Sequence, residues 1–397
     1  MQPLEGLLVV DLSRALAGPY CTMMLADLGA RVVKLESPDG GDDTRGWGPP
    51  FVGPESAYFL SVNRNKESVA LNLKHPRGVE VLHRLLERAD VLVENFRPGV
   101  MERLGLDYPR LRERYPRLVY CSISGFGQTG PYREKPAYDL ILQGMGGIMG
   151  ITGEEDGPPV KVGVAVADIC AGMFAAFGIL AALRVRDRTG RGQWVDAALL
   201  DGQVAWLTYA AANYFATGKN PTRMGSAHPN LCPYQAFETQ DGYVNVAVGS
   251  EGIWKRFCEV VAPELAEDPR FRTNPDRVRH RSELIPLLQA RFRERTTREW
   301  TRILDGAGVP NGPIYTVSEV FQDPQTLHRE MRVELEHPTA GRIAVTGVPV
   351  KFSDTPGSIR TPPPVLGQHT VGVLRELGYP EEEVGRLVRE GAAAVWG

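Results

Sequence analysis

Between Lys161 and Arg184 lie 22 consecutive residues, VGVAVADICAGMFAAFGILAAL, that are apolar or small except for one carboxylate, Asp168. A run of this length has to be buried: about 20 apolar residues suffice to cross a bilayer, and the same run can equally form the centre of a globular core. A lone mid-chain span without aromatic belts is not expected, and no other stretch approaches spanning length. The run also changes period within itself. VGVAVA alternates and is β-branched, as a strand would be, whereas CAGMFAAFGILAAL is made of helix formers and leads into the charged RVRDRTGRG. Asp168 therefore falls at an expected strand-to-helix junction, where an Asp can be an N-cap or a reactive group.

The same alternation runs through the first third of the chain. Gly6 to Leu12 predicts a strand, Ser13 to Pro19 a loop, YCTMMLADL a helix stopped at Gly29, and ARVVKLE a second strand ending at Glu36. SVALNL, the amphipathic helix PRGVEVLHRLLERA, DVLVENF and RLVYCSISGFG continue it. Strands alternating with helices predict an α/β fold with a Rossmann-like, mostly parallel sheet. Such sheets bind ligands beyond the carboxyl ends of their strands, which singles out ALAGP, ENFRPG, SGFGQTGPY and the Asp168 junction.

At 397 residues two domains are expected. The first covers residues 1–200, followed by a helical linker over 201–225 and a smaller α+β domain over 226–325. In that smaller domain PYQAFETQDGYVNVAVG reads as a hairpin and SELIPLLQARFRERTTREWTRIL as helix. Residues 326–397, with RIAVTGVPVKFS, the Pro-rich RTPPPVLGQHT and a last helix, are expected to return to the first domain.

Several chemistries are disfavoured by what the chain lacks. The loop SRALAGP holds only Gly18, and GMGGIMG has its glycines at the wrong spacing, so no dinucleotide fingerprint is present. The seven histidines show no HxxxH or HExxH spacing, which predicts no metal site. There is no G-x-S-x-G elbow and no P-loop. A net charge of −3 argues against nucleic acid as a partner, and five scattered cysteines without a CxxC pair, together with an N-terminus unlike a secretory signal, predict a cytoplasmic protein. Lys74, Arg97, Arg103 and Lys135, near strand ends, could hold phosphates or could be solvated surface cations.

Taken in order, VVDLSRALAGPYCTMMLADLGARVVKLE, GDDTRGWGPPFVG, SVNRNKESVALNLKHPRG, DVLVENFRPGVMERLG, SISGFGQTGPYREKPAYDLILQGMGG, GVAVADICAGM and RTGRGQWVDAALLD resemble the class III (CaiB/BaiF, formyl-CoA transferase) family of CoA-transferases. SAHPNLCPYQAF and DGYVNV are similar to the branch that exchanges CoA between succinate and glutarate or hydroxymethylglutarate.

The resemblance implies an interlocked homodimer, no prosthetic group, no membrane, and a coenzyme A thioester as substrate together with a free carboxylate. It implies transfer of CoA from succinyl-CoA to a glutarate-like acid through a covalent aspartyl thioester. Carried over, the nucleophile falls on Asp168 and a supporting acid on Asp139. CoA contacts fall on Ala17, Leu71, Asn72, Leu73, Lys74, Asn95, Phe96, Arg97, Arg103 and Lys135. Two departures from formyl-CoA transferases, Leu16 in place of a Gln and a missing glycine-rich loop in the small domain, disfavour an oxalate-formyl pair. The alternative is an acyl-CoA racemase of the same scaffold, which carries His-Asp where this chain has Tyr138 and Asp139. A distal substrate carboxylate would need a cation, for which Arg45, Arg64 and His228 are the candidates by loop position.

Overall fold

The structure is a computed structural model that describes Met1–Trp396. Six parallel strands form the main sheet. In chain order they are Leu8–Asp11, Arg31–Glu36, Lys66–Leu71, Val91–Glu94, Val119–Ser124 and Trp194–Ala198. Across the sheet the third strand lies beside the second, the second beside the first, and the first beside the fourth, fifth and sixth in turn. This is the doubly wound order, with its switch point between Leu8–Asp11 and Val91–Glu94. A seventh strand, Ala393–Ala394, closes the Lys66–Leu71 edge antiparallel.

The strands other than Trp194–Ala198 are largely buried on both faces, and alternate residues divide between two cores. Val10, Val33 and Leu92 join one; Val9, Val32, Val91 and Val93 join the other, under the helices Ala17–Asp27 and Val166–Thr189.

The chain divides into two compact units. The first contains Met1–Ile148, Val162–Thr208 and the described residues from Pro324 on; the second contains Met149–Lys161 and Tyr209–Asp323. In the second unit the expected hairpin forms as Tyr234–Glu238 with Tyr243–Ala247, and Asn311–Pro313 adds a third strand. Phe237, Phe257, Phe292 and Trp300 fill the core of this unit. SELIPLLQARFRERTTREWTRIL is two helices, Arg281–Phe292 and Thr297–Gly306. The second is started by a capping box in which Thr296 and Glu299 satisfy each other's backbone N–H groups.

Three local expectations are corrected. VGVAVA is not a strand: residues 162–165 are irregular and the helix begins at Val166. The sheet position beyond Val119–Ser124 is taken by Trp194–Ala198, and the linker expected to be helical over 201–225 is instead two helices, Leu199–Trp206 and Thr208–Thr217, with residues 218–225 outside helix. Asp168 is not an N-cap. The cap position is Ala165, which contributes no side-chain bond, and Asp168 lies in the first helical turn.

Candidate active site

The cap that the local sequence lacks comes from another helix. Asp139 opens the short helix Asp139–Met145, and its Oδ1 accepts the N–H of Ala167 at 2.8 Å. Gln143, one turn further on, donates from Nε2 to Asp139 Oδ2 at 2.7 Å and to the Val164 carbonyl at 3.3 Å, while its Oε1 accepts the Val162 N–H at 2.8 Å. This pair pins the irregular segment and satisfies an orphan donor of the long helix, a contact worth about 1 kcal/mol. Gln143 went unmarked in the sequence reading. The signal for it was a polar pair spaced i, i+4 in an otherwise apolar helix.

Asp139 supplies the cap, and the Asp168 carboxyl makes no capping bond. It is half-buried, and burial, followed by the nearby Asp139 carboxylate, pushes it up to about 7. Tyr58 shares this environment: burial, and then the charges of Asp168, Asp139 and Asp42, push its phenol up to about 12. The Trp47 ring meets Tyr58 edge-on at 5.1 Å.

A cavity of about 380 Å³ lies beyond the ends of the first strands, a size suited to a small-molecule ligand. It brings together Leu71, Asn72, Leu73, Lys74 and Phe96 from the sequence-derived set. It also adds Arg14, which the sequence reading missed and whose guanidinium sits 5.5 Å from the centre of the Phe96 ring. Asn95 holds Arg14 from both sides, accepting its N–H at 2.8 Å and donating to its carbonyl at 2.7 Å. Arg103 is exposed on the helix Val100–Leu104, whose end residues line the same cavity.

Among the described residues Arg14, Lys74, Arg97 and Arg103 have no carboxylate partner, so their charge is open to an anion. Arg97 lines a different, smaller cavity of about 130 Å³ with Glu94, whose buried carboxyl is raised to about 7 by desolvation. Lys135 stands apart from both cavities, its ammonium 5.1 Å from the Tyr132 ring centre and 5.7 Å from that of Phe126.

The loop after the first strand joins the cavity to the helix of Asp168. Leu12 and Arg14 line the cavity, and Ala17 is buried against the long helix at Gly172. A Cβ at Gly172 would come within 2.6 Å of the Ala17 carbonyl oxygen, so only glycine allows this approach. Gly172 is one turn after Asp168 on the same helix face.

None of the three expected carboxylate-binding cations is free for that role. Arg64 is buried, forks onto Asp27 at 2.6 and 3.0 Å, and donates to the Thr346 carbonyl at 2.8 Å. Arg45 forks onto Glu36 at 2.7 and 2.8 Å, with its guanidinium 3.7 Å from the Phe59 ring centre. His228 belongs to the second unit, between the Tyr209 and Tyr234 rings at 5.0 and 5.2 Å. Burial and the Arg281 charge lower its pKa, which leaves the imidazole neutral at neutral pH. Loop position suggested availability for Arg45 and Arg64; a buried cation instead takes a partner. Among the described residues no group of three or more His, Cys, Asp or Glu side chains is placed to hold a metal ion.

The profile of CoA-transferase family III matches residues 4–370. Succinyl-CoA:glutarate CoA-transferase of Mus musculus is 48% identical over 393 residues, 98% of this chain and 90% of that protein. Acetyl-CoA:oxalate CoA-transferase of Acetobacter aceti is 44% identical over 383 residues, covering 96% and 97%. The crystal structure of a CaiB/BaiF family protein from Brucella suis superposes with a TM-score of 0.84 at 44% identity, covering 95% of this chain and 99% of that one.

Proposed function

Because the chain belongs to CoA-transferase family III and is an enzyme that transfers CoA, we propose that it moves CoA from succinyl-CoA to a glutarate-like dicarboxylate through Asp168. The observation that carries the mechanism is the Asp168 carboxyl, freed from capping and raised to about 7. A carboxylate of raised basicity is a better nucleophile, and near neutral pH a large fraction is ionised.

Asp168 attacks the thioester carbonyl; the new C–O bond forms as the C–S bond breaks, giving a mixed anhydride and CoA thiolate. The thiolate, still held by its nucleotide end, attacks the aspartyl carbonyl and releases the donor as a free carboxylate. An acceptor carboxylate then reverses the two steps. Arg14, Lys74 and Arg103 would bind CoA phosphates, and Leu71 to Leu73, Asn95, Phe96 and Ala17 would line its path. Asp139 is a positioning residue that holds the helix start and, by its charge, keeps Asp168 basic.

The assignment of the acids rests on the similarity to the succinate–glutarate enzymes. An oxalate-using relative at 44% identity makes a panel of acceptors the direct test. The working form we propose is a homodimer. Met173, Phe174, Phe177 and Leu180 of the long helix, with Leu140 and Ile141, are exposed on a single chain, and a large apolar face of this kind is characteristic of an interface.

The mechanism is tested by incubating the protein with succinyl-CoA, trapping with hydroxylamine and mapping the hydroxamate by mass spectrometry. The expected adduct is on Asp168. No adduct there while CoA exchange is running refutes the covalent route.

A further inference from the structure

Four charged side chains beneath the loop Ser13–Ala17 are fully buried and take no part in the chemistry above: Asp11, Lys34, Asp42 and Lys66. Buried ions of this kind are costly unless held by partners, and here the partners are the ends of one loop. Lys34 Nζ donates to the Ser13 carbonyl at 2.7 Å, where the loop leaves the first strand. Lys66 Nζ donates to the Pro19 carbonyl at 2.9 Å, where the loop has become helix, and to Asn63 Oδ1 at 2.9 Å.

The carboxylates complete the frame. Asp11 Oδ2 lies 3.2 Å from Lys66 Nζ, and its Oδ1 accepts the Ser13 N–H at 2.9 Å. Asp42 Oδ2 lies 2.9 Å from Lys34 Nζ, while its Oδ1 accepts the Ala15 N–H at 3.2 Å. Ala15 has φ +62°, a left-handed conformation that an alanine avoids unless its surroundings impose it.

We propose that Lys34 and Lys66, backed by Asp42 and Asp11, are positioning residues that clamp the loop Ser13–Ala17 between the cavity and the helix of Asp168. A loop without the Gly-x-Gly-x-x-Gly backbone has no short route to rigidity, and two buried ammonium groups on its two ends supply one. The loop is worth fixing because Arg14 lines the cavity at one end and Ala17 meets Gly172, one turn from Asp168, at the other. The clamp thereby sets the register between a bound CoA and the nucleophile. The inference rests on the reading that CoA occupies this cavity.

The test uses the double variant Lys34→Met/Asp42→Asn, which removes one buried cation and one buried anion together and lets Asn keep the acceptor for Ala15. CoA affinity is measured by calorimetry, and KM for the thioester and for the carboxylate acceptor are measured separately, each scaled to trapped Asp168. The expected result is a rise of about tenfold in the CoA Kd and the thioester KM, with the acceptor KM unchanged. A folded double variant with wild-type values of both overturns the proposal, because a merely structural network would change the melting temperature alone.

Where the double variant does not fold, Asp42→Asn decides: it keeps the acceptor for the Ala15 N–H and removes only the anion that backs Lys34. A rise of about threefold in the same two quantities is expected, and wild-type values overturn the clamp. Wild-type protein that binds CoA but gives no trapped Asp168 sinks the covalent reading and leaves the clamp to be judged on the Kd. Wild-type protein that binds no CoA sinks both.

Discussion

Replacing Asp168 by Asn keeps the shape of the side chain and removes its charge, and the structure sets the size and the sign of the effect on stability. Burial, and then Asp139, move the carboxyl from 3.8 to about 7. A tenfold change in proton affinity corresponds to about 1.36 kcal/mol, so keeping Asp168 ionised in the folded chain costs up to about 4 kcal/mol. The folded state holds this proton to higher pH than the unfolded state does. Stability is therefore lost as pH rises from about 4 to about 7, and levels off above that; below pH 4 both states are protonated and the contribution vanishes.

Asp168→Asn lacks this loss. Urea unfolding of wild type and variant side by side from pH 4 to 8.5 should show equal stability at the acid end, with the variant gaining up to about 4 kcal/mol by pH 8. The same variant should be inactive in CoA transfer, the usual opposition between a stable fold and a strained reactive group. Wild-type adduct formation should rise with pH through about 7, as Asp168 ionises. A stability gap that is flat with pH, or that widens toward acid, refutes the reasoning.

Arg64→Met leaves Asp27 buried without its cation, so a loss of about 3 to 5 kcal/mol is expected in thermal or denaturant unfolding. A loss below 1 kcal/mol would mean that the fork onto Asp27 is not what holds Arg64. Phe177→Glu puts a charge on the exposed apolar face of the long helix, and sedimentation should find a monomer, against the dimer proposed for the wild type. A variant that still sediments as a dimer places the interface elsewhere.

The run around Asp168 shows how far a sequence can be read. Its composition pointed to a buried element and one anomalous acid; in the folded chain one face of the helix is buried, while Met173, Phe174, Phe177 and Leu180 are exposed on a single chain. Its alternating start was read as a strand, but the place in the sheet belongs to Trp194–Ala198, and the run instead meets Gln143 and Asp139. Local periodicity reports which faces are apolar; it carries no information on which of two similar segments wins one sheet edge. Arg45 and Arg64 illustrate the same limit for charges. Each was visible as a cation in a loop, and its carboxylate partner, Glu36 or Asp27, became its partner only through the packing of the sheet and its helices.

What the sequence by itself determined was the alternation of strands and helices, hence the parallel sheet with its ligand loops at one end, and the set of residue types available for chemistry. Those follow from short-range patterning of apolar and polar side chains. What only the tertiary structure decided was the partner of each buried polar group: Asp139 on Ala167, Lys34 on Ser13, Lys66 on Pro19. A buried charge or N–H must be satisfied by whatever the fold brings within about 3 Å, and that neighbour can lie anywhere along the chain.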